Sequence, residues 1–225
     1  MIVVVADDPS MHSSQNEQDS RNYAIAAKLP MVEPADSAEC RDFTKLAYEL
    51  SEQFDVPVLL RLSTRISHSR SIVELCERNA PELKPYEKNP AKNVMLPVFA
   101  TKKHVAVEQR SDDLAAWAES CSLNRVEDNG SDMGVIAAGS VYQYAREALG
   151  DTVSYLKLGL INPLPEKLIR DFAAKVKKLY VIEELDPIIE NYCKKLGIAV
   201  IGKELFPRCG CLLYTSPSPR DGATS

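Results

Sequence analysis

The chain has 225 residues, 45% hydrophobic and 26% charged, with a formal net charge of −5, an ordinary globular balance that excludes collagen-like, mucin-like and wholly disordered chains. Scattered Lys and Arg argue against a nucleic-acid surface, apolar runs such as 1–6 and 56–60 are too short to span a bilayer, and no basic stretch precedes the first strand as in a secretory leader. Six cysteines, at 40, 76, 121, 193, 209 and 211, are too few and too dispersed for a disulfide scaffold, so a reducing, cytoplasmic compartment is expected.

Ile2-Val3-Val4-Val5-Ala6 is a β-branched run that reads as a buried parallel strand. Such a strand wants a neighbour on each edge and nothing precedes it, so part of a domain is expected upstream. The polar loop 7–20 leads to a helical stretch at 22–28 and an extended piece at 31–34. Asp36 with Glu39 three positions on forms a capping box. The helix it opens, 37–54, places Phe43, Leu46, Ala47, Leu50 and Phe54 on one face. Residues 57–62 read as a second parallel strand, giving most of a βαβ unit. Residues 77–99 carry four of the fourteen prolines, a linker composition. A helix at 102–121, with Trp117 turned inward, and a polar turn region at 124–132 follow.

The second segment alternates more strictly. Residues 133–138 read as a strand, and Gly139 and Ser140 turn into a helix that ends near Leu149 and is stopped by Gly150. A strand at 153–158 precedes a helix with Pro165 at its first position and Leu168, Ile169, Phe172, Ala173 and Val176 in one stripe. A strand at 179–182, a helix at 187–196 and a last strand at 198–201 complete the pattern. This alternation predicts an α/β fold with a parallel sheet covered on both faces. At the far end, Cys211-Leu212-Leu213-Tyr214-Thr215-Ser216-Pro217-Ser218-Pro219-Arg220-Asp221 matches the translation of a transposase-type sequencing adapter. Residues 211–225 are therefore expected to be a non-native tail, and the natural chain is expected to run on past about Arg208.

The sharpest chemical feature is the loop from Asp7 to Arg21, which holds His12, Gln15, Asn16, Gln18 and a guanidinium within fifteen residues. It lies outside the carboxyl end of a parallel strand, where open α/β sheets bind ligands; the plainer alternative is a solvated turn with Asx and Ser caps. His68 reads as a loop residue after the second strand, and His104 as part of a solvated helix face. Glu183 and Glu184 could meet a ligand or simply favour the next helix dipole, and Arg61, inside an apolar strand, needs a partner. Phosphate loops of the G-x-x-x-x-G-K-[ST] and G-x-G-x-x-G types are absent, as are a C-x2-C pair and a G-x-S-x-G elbow. Gly150-Asp151 faintly suggests a magnesium–diphosphate motif, but Thr152 stands where a second Gly belongs. No metal-ligand set is expected within the chain.

Four stretches carry a resemblance. They are Val3-Val4-Val5-Ala6-Asp7-Asp8-Pro9-Ser10-Met11-His12-Ser13-Ser14-Gln15-Asn16-Glu17-Gln18-Asp19-Ser20-Arg21, Pro57 to Arg61 with Ser67-His68-Ser69-Arg70, Leu158-Gly159-Leu160-Ile161-Asn162-Pro163-Leu164-Pro165, and Val181-Ile182-Glu183-Glu184-Leu185-Asp186-Pro187. From Ile2 to about Pro207 the chain resembles the alpha subunit of indolepyruvate:ferredoxin oxidoreductase, a branch of the thiamine-diphosphate-dependent 2-oxoacid:ferredoxin oxidoreductases.

The resemblance implies an enzyme that decarboxylates 2-oxoacids oxidatively on thiamine diphosphate with Mg2+. Electrons would pass through [4Fe–4S] clusters to ferredoxin and the acyl group to coenzyme A, beside a beta subunit. It implies that 1–76 is the C-terminal part of a pyrimidine-type thiamine domain, 77–130 a linker and connecting helix, and 131–208 a transketolase-C-like α/β domain. It also implies an internal fragment without a complete active site: the activating glutamate would lie upstream, the Gly-Asp-Gly motif and cluster cysteines downstream. Within the chain it points to Arg21 as the partner of a substrate carboxylate, a role suited to a guanidinium fork, with His12 beside it. Gln15, Asn16, Gln18, Ser67 and His68 are implied on the cofactor side. A sister enzyme for pyruvate, 2-oxoglutarate or a branched 2-oxoacid, and a non-catalytic α/β interaction module, are the alternatives.

Overall fold

The computed structural model describes residues 1–12, 14–78, 80 and 85–212; Ser13, residues 79 and 81–84, and the expected tail from 213 onward lie outside the described residues. The elements follow in order as β1 (Ile2–Asp7), α1 (Arg21–Ala27), β2 (Met31–Val32), α2 (Ser37–Phe54), β3 (Val58–Ser63), α3 (Thr64–His68), α4 (Pro90–Asn93) and α5 (Pro97–Ala118). After them come β4 (Arg125–Glu127), β5 (Met133–Ala138), α6 (Gly139–Leu149), β6 (Ser154–Leu158), β7 (Leu160–Asn162), α7 (Glu166–Ala173), β8 (Lys178–Ile182) and α8 (Ile188–Lys195).

Local chemistry accounts for the long elements. The Asp36 carboxylate accepts from Glu39 N at 2.9 Å, and Glu39 reaches back to Ala35 N at 2.8 Å, so both sides of the α2 entry are satisfied. Phe43, Ala47 and Leu50 are buried on its inner face, with Leu46 and Phe54 partly so. Phe54 meets Trp117 edge-to-face, with centroids 6.3 Å apart, and so draws the end of α5 onto the same core. That helix starts at Pro97, earlier than 102, because proline fits a first helical turn; it ends at Ala118 rather than 121.

Among the described residues two four-stranded sheets result, in the orders β1-β3-β2-β7 and β4-β6-β5-β8. In the first, β3 runs parallel to β1 (Val3 beside Leu59, Asp7 beside Ser63) and to β2. In the second, β5 lies parallel to both β6 and β8. The wholly parallel sheet expected from the alternation is instead mixed: β4 is antiparallel to β6, and β7 antiparallel to β2. The turn region 124–132 thus contains an edge strand. The expected last strand at 198–201 is reduced to a single bridge from Ile201 to Tyr180.

The passage between the sheets is built around Gly159 and Asn124. Gly159 O accepts from Glu33 N at 2.8 Å, and Asn124 Oδ1 accepts from Gly159 N and Leu160 N at 3.0 and 3.1 Å. A Cβ at Gly159 would stand 2.5 Å from Leu123 O, so the close crossing requires glycine. Residues 160–162, within the stretch assigned to the second unit, thereby pair into the first sheet. One apolar cluster unites Met31 and Leu59 of the first sheet with Ile136, Leu158 and Phe172 of the second half.

β1, expected as a buried strand, is an edge strand. Among the described residues it pairs with β3 alone, and Val4 is 59% exposed.

Candidate functional site

The carboxyl ends of β1 and β3 converge on a buried lattice of charge. Arg61 donates through Nε to Asp7 Oδ2 and through an NH1 group to Glu33 Oε1, each at 2.6 Å, which supplies the partners its apolar strand demanded. Arg21, opening α1, is buried; its Nε lies 2.9 Å from Asp19 Oδ1, and its NH1 donates to Glu183 Oε2 at 2.6 Å. NH2 donates to Asp19 Oδ2 and to the Glu184 and Asp186 carbonyls. The carboxylate partner expected of Arg21 is therefore present but supplied by the chain, and no donor faces outward. Glu183 also accepts from Ile189 N and Glu190 N at 3.1 and 3.0 Å, so it caps α8, the dipole role anticipated for it.

Burial and the two guanidinium groups act in opposite directions on Asp19 and on Glu33. Burial would push the Asp19 carboxyl up, but hydrogen bonds from Arg21 and the charges of Arg21 and Arg61 outweigh it and hold Asp19 below its ordinary value. For Glu33 burial prevails over Arg61 and Arg21, with Asp19 and Asp7 adding to the rise. Glu33 Oε2 has no hydrogen-bond partner among the described residues. With Arg21, Arg61 and Ser63, Glu33 lines a cavity of about 10 Å3, room for one water at most. The lattice is a joint rather than a ligand pocket.

Outward from it the rim is open. Asp8 accepts from Thr64 Oγ1 at 2.5 Å and from Ser14 N and Oγ at 3.1 and 3.0 Å, and faces His12 Nδ1 at 3.0 Å. A carboxylate on Nδ1 holds the neutral ring with its proton there, which leaves Nε2 as the acceptor. His12, Thr64, Arg65 and His68 line a hollow of about 360 Å3. Two residues singled out from separate stretches, His12 and His68, are thus brought together.

The remaining expectations fall elsewhere. His68 ends the short helix α3 rather than lying in a loop, because Ser63 caps it through Ile66 N. Ser67 Oγ turns back to Ser63 O at 3.0 Å and lines neither this hollow nor its neighbour. Gln15, Asn16 and Gln18 are exposed, with Asn16 Nδ2 and Tyr23 OH both directed at Gln18 Oε1 within the loop. His104, 72% exposed, pairs with Glu108 on α5. Thr64 and Arg65 were missed, although they directly follow the carboxyl end of β3 and so satisfy the same positional rule that marked the 7–21 loop.

Chemically, the hollow sets the guanidinium group of Arg65 beside the imidazoles of His12 and His68. It does not fit the inorganic groups that the resemblance implies. No group of three or more His, Cys, Asp or Glu side chains among the described residues could hold a metal ion, and no disulfide joins the cysteines among them. Among the described residues, the cysteine ligands of a [4Fe–4S] cluster are therefore not gathered. Among the described residues no helix is long and apolar enough to cross a membrane.

No protein-family model matches the chain. It is 42% identical over 208 residues to the indolepyruvate oxidoreductase subunit IorA of Archaeoglobus fulgidus, a match covering 90% of the chain and 33% of that relative. Against subunit IorA of Methanothermobacter thermautotrophicus it is 43% identical over 197 residues, 85% of the chain and 32% of the relative. The chain thus spans about a third of the length of the curated relatives it matches. In fold it is similar to the 2-oxoglutarate:ferredoxin oxidoreductase from Magnetococcus marinus with 2-oxoglutarate, coenzyme A and succinyl-CoA bound. The TM-score is 0.61 over 89% of the chain and 45% of that protein, at 15% identity, so only the α/β fold is shared.

Proposed function

We propose, from the premise that the chain belongs along its matched length to the family of indolepyruvate oxidoreductase subunits named IorA, that it supplies the substrate-facing rim of a 2-oxoacid:ferredoxin oxidoreductase alpha subunit. The parent enzyme would decarboxylate aryl 2-oxoacids such as indolepyruvate to acyl-CoA and pass electrons through [4Fe–4S] clusters to ferredoxin. Thiamine diphosphate, Mg2+ and the clusters would be held by the rest of that enzyme, alongside a beta subunit, and the chain alone would be inactive. Cysteines that form no disulfide among the described residues suit a cytoplasmic setting.

In this reading Arg65 pairs with the 2-oxoacid carboxylate, while His12, steadied by Asp8 at 3.0 Å, accepts a hydrogen bond or proton at Nε2. Thr64 and His68 complete the wall. Arg21 acts one layer below, fixing the loop that carries His12. Gln15, Asn16 and Gln18, exposed on that loop, and Ser67 on α3 are assigned to the cofactor side. The observation that carries the reading is 42% identity to an IorA subunit sustained over 90% of the chain.

The three histidines provide the test. Titration of the chain with indolepyruvate, followed by imidazole proton NMR, should move the His12 and His68 signals and leave His104 in place. Equal movement of all three, or of none, would refute this placement of the substrate.

A further inference from the structure

The segment that leaves α3 is laid along α2 like a strap. Ser71 Oγ accepts from Ser37 N at 3.1 Å, the Glu74 carbonyl accepts from an NH1 group of Arg41, and Lys45 Nζ stands 2.6 Å from Cys76 Sγ. Ser37, Arg41 and Lys45 follow one another at four-residue spacing, so they form a single row on the helix. Between these attachments Ile72 and Leu75 are 93% and 100% exposed, so burial of apolar surface does not hold the strap down. Lys45 and Cys76 are both exposed, and Cys76 forms no disulfide among the described residues.

The third attachment is too close for a hydrogen bond. An N–H···O bond holds its heavy atoms about 2.9 Å apart, and sulfur is a larger atom and a weaker acceptor than oxygen. An amine 2.6 Å from a thiol sulfur is therefore inside ordinary contact. A direct N–S bond would be much shorter; one oxygen, singly bonded to each atom, spans the gap with neither segment moving. The step balances with molecular oxygen as oxidant. The Cys76 S–H, one Lys45 N–H and the O=O bond break, N–O and O–S bonds form, and the second oxygen leaves as water with the two hydrogens. Sulfur and nitrogen each give up two electrons to the O2, and an ammonium at Lys45 first sheds a proton to solvent. Sulfur ends at the level of a sulfenic acid, the reversible first rung of cysteine oxidation, so two equivalents of a dithiol return amine, thiol and one water.

We infer that Lys45 and Cys76 are the two ends of an oxygen-bridged, thiol-reversible cross-link, Nζ–O–Sγ, that fastens the strap to α2. The bridge closes a loop containing β3 and α3, the helix that carries His68, and so makes the rim next to the strap responsive to oxidant. The test compares the full chain kept in dithiothreitol with the same chain exposed to air, by tryptic peptide mass and by melting temperature. The aerated chain should yield peptide 42–61, uncut at Lys45, joined to peptide 71–78; neither contains methionine. The joined pair should exceed the sum of its parts by one oxygen less two hydrogens. Dithiothreitol should release it, Cys76→Ser and Lys45→Arg should each abolish it, and Cys40→Ser should leave it. Closing the loop should raise the melting temperature of the aerated chain by about 5–10 °C, with no rise in Cys76→Ser. Both side chains are exposed, so the reduced variants should melt with the reduced parent. An aerated Cys76 that is unmodified, or only an unlinked oxyacid or a disulfide, would overturn the assignment. So would joined peptides that lack the added oxygen, or a bridge that leaves the melting temperature unmoved. No 2-oxoacid enters this experiment, so it stands or falls apart from the indolepyruvate titration.

Discussion

Arg21 shows how a residue type can be recognised while its task is not. A guanidinium at the end of a polar rim loop suggests a ligand carboxylate, yet the acid that meets its NH1 is Glu183, 162 positions away. No local pattern announces that pairing, whereas the need of Arg61 for partners was legible because a charged residue inside an apolar strand must be neutralised. Removing one member of such a buried set leaves the others uncompensated. Arg21→Met should lower stability by about 3–5 kcal/mol, measured by urea unfolding.

The same lattice sets two opposite pH dependences. Asp19 is held below its ordinary value, so its stabilisation is present at neutral pH and is lost as pH falls through the depressed value. Glu33 is held above, so its contribution is complete in acid and lost as pH rises through the raised value. A plot of melting temperature against pH should flatten on its acid side in Asp19→Asn and on its alkaline side in Glu33→Gln. Persistence of both slopes would remove Asp19 and Glu33 as their source.

At the scale of elements, legibility followed length and caps. The helix 37–54 and the strand 133–138 match the structure residue for residue, because an Asp-first capping box or a Gly-Ser turn marks the boundary of a strong apolar pattern. β4 escaped because Arg125-Val126-Glu127 has one apolar residue, and β7 because three residues cannot establish a period. The cap is testable: Asp36→Ala should cost about 1 kcal/mol, seen as a lower midpoint in denaturant with the α2 helical signal retained. At the crossing, Gly159→Ala forces a Cβ against the Leu123 carbonyl and the Phe43 ring. It should destabilise by about 1–3 kcal/mol, as overpacking does.

For the molecule as a whole, the apolar edge left by β1 is the principal liability. Val3 and Val4 present side chains to solvent on a strand whose outer hydrogen-bonding groups lack a β partner among the described residues, the combination that favours edge-to-edge association. Sedimentation should show self-association that increases with concentration and diminishes in Val4→Lys. Melting temperature should stay nearly unchanged, since Val4 contributes little to the core.

The strand exchange at 160–162 has a mechanical consequence. A segment that leaves one sheet and is laced into the other acts as a stitch, so the halves cannot gape like jaws when a ligand arrives without tearing backbone pairing. Adaptation must instead fall to the lips, the stretch around Asp8–Gln18 and the turn past α3, while the body behind them behaves as an anvil. Amide exchange should therefore respond to ligand at those lips and stay silent along β2 and β7.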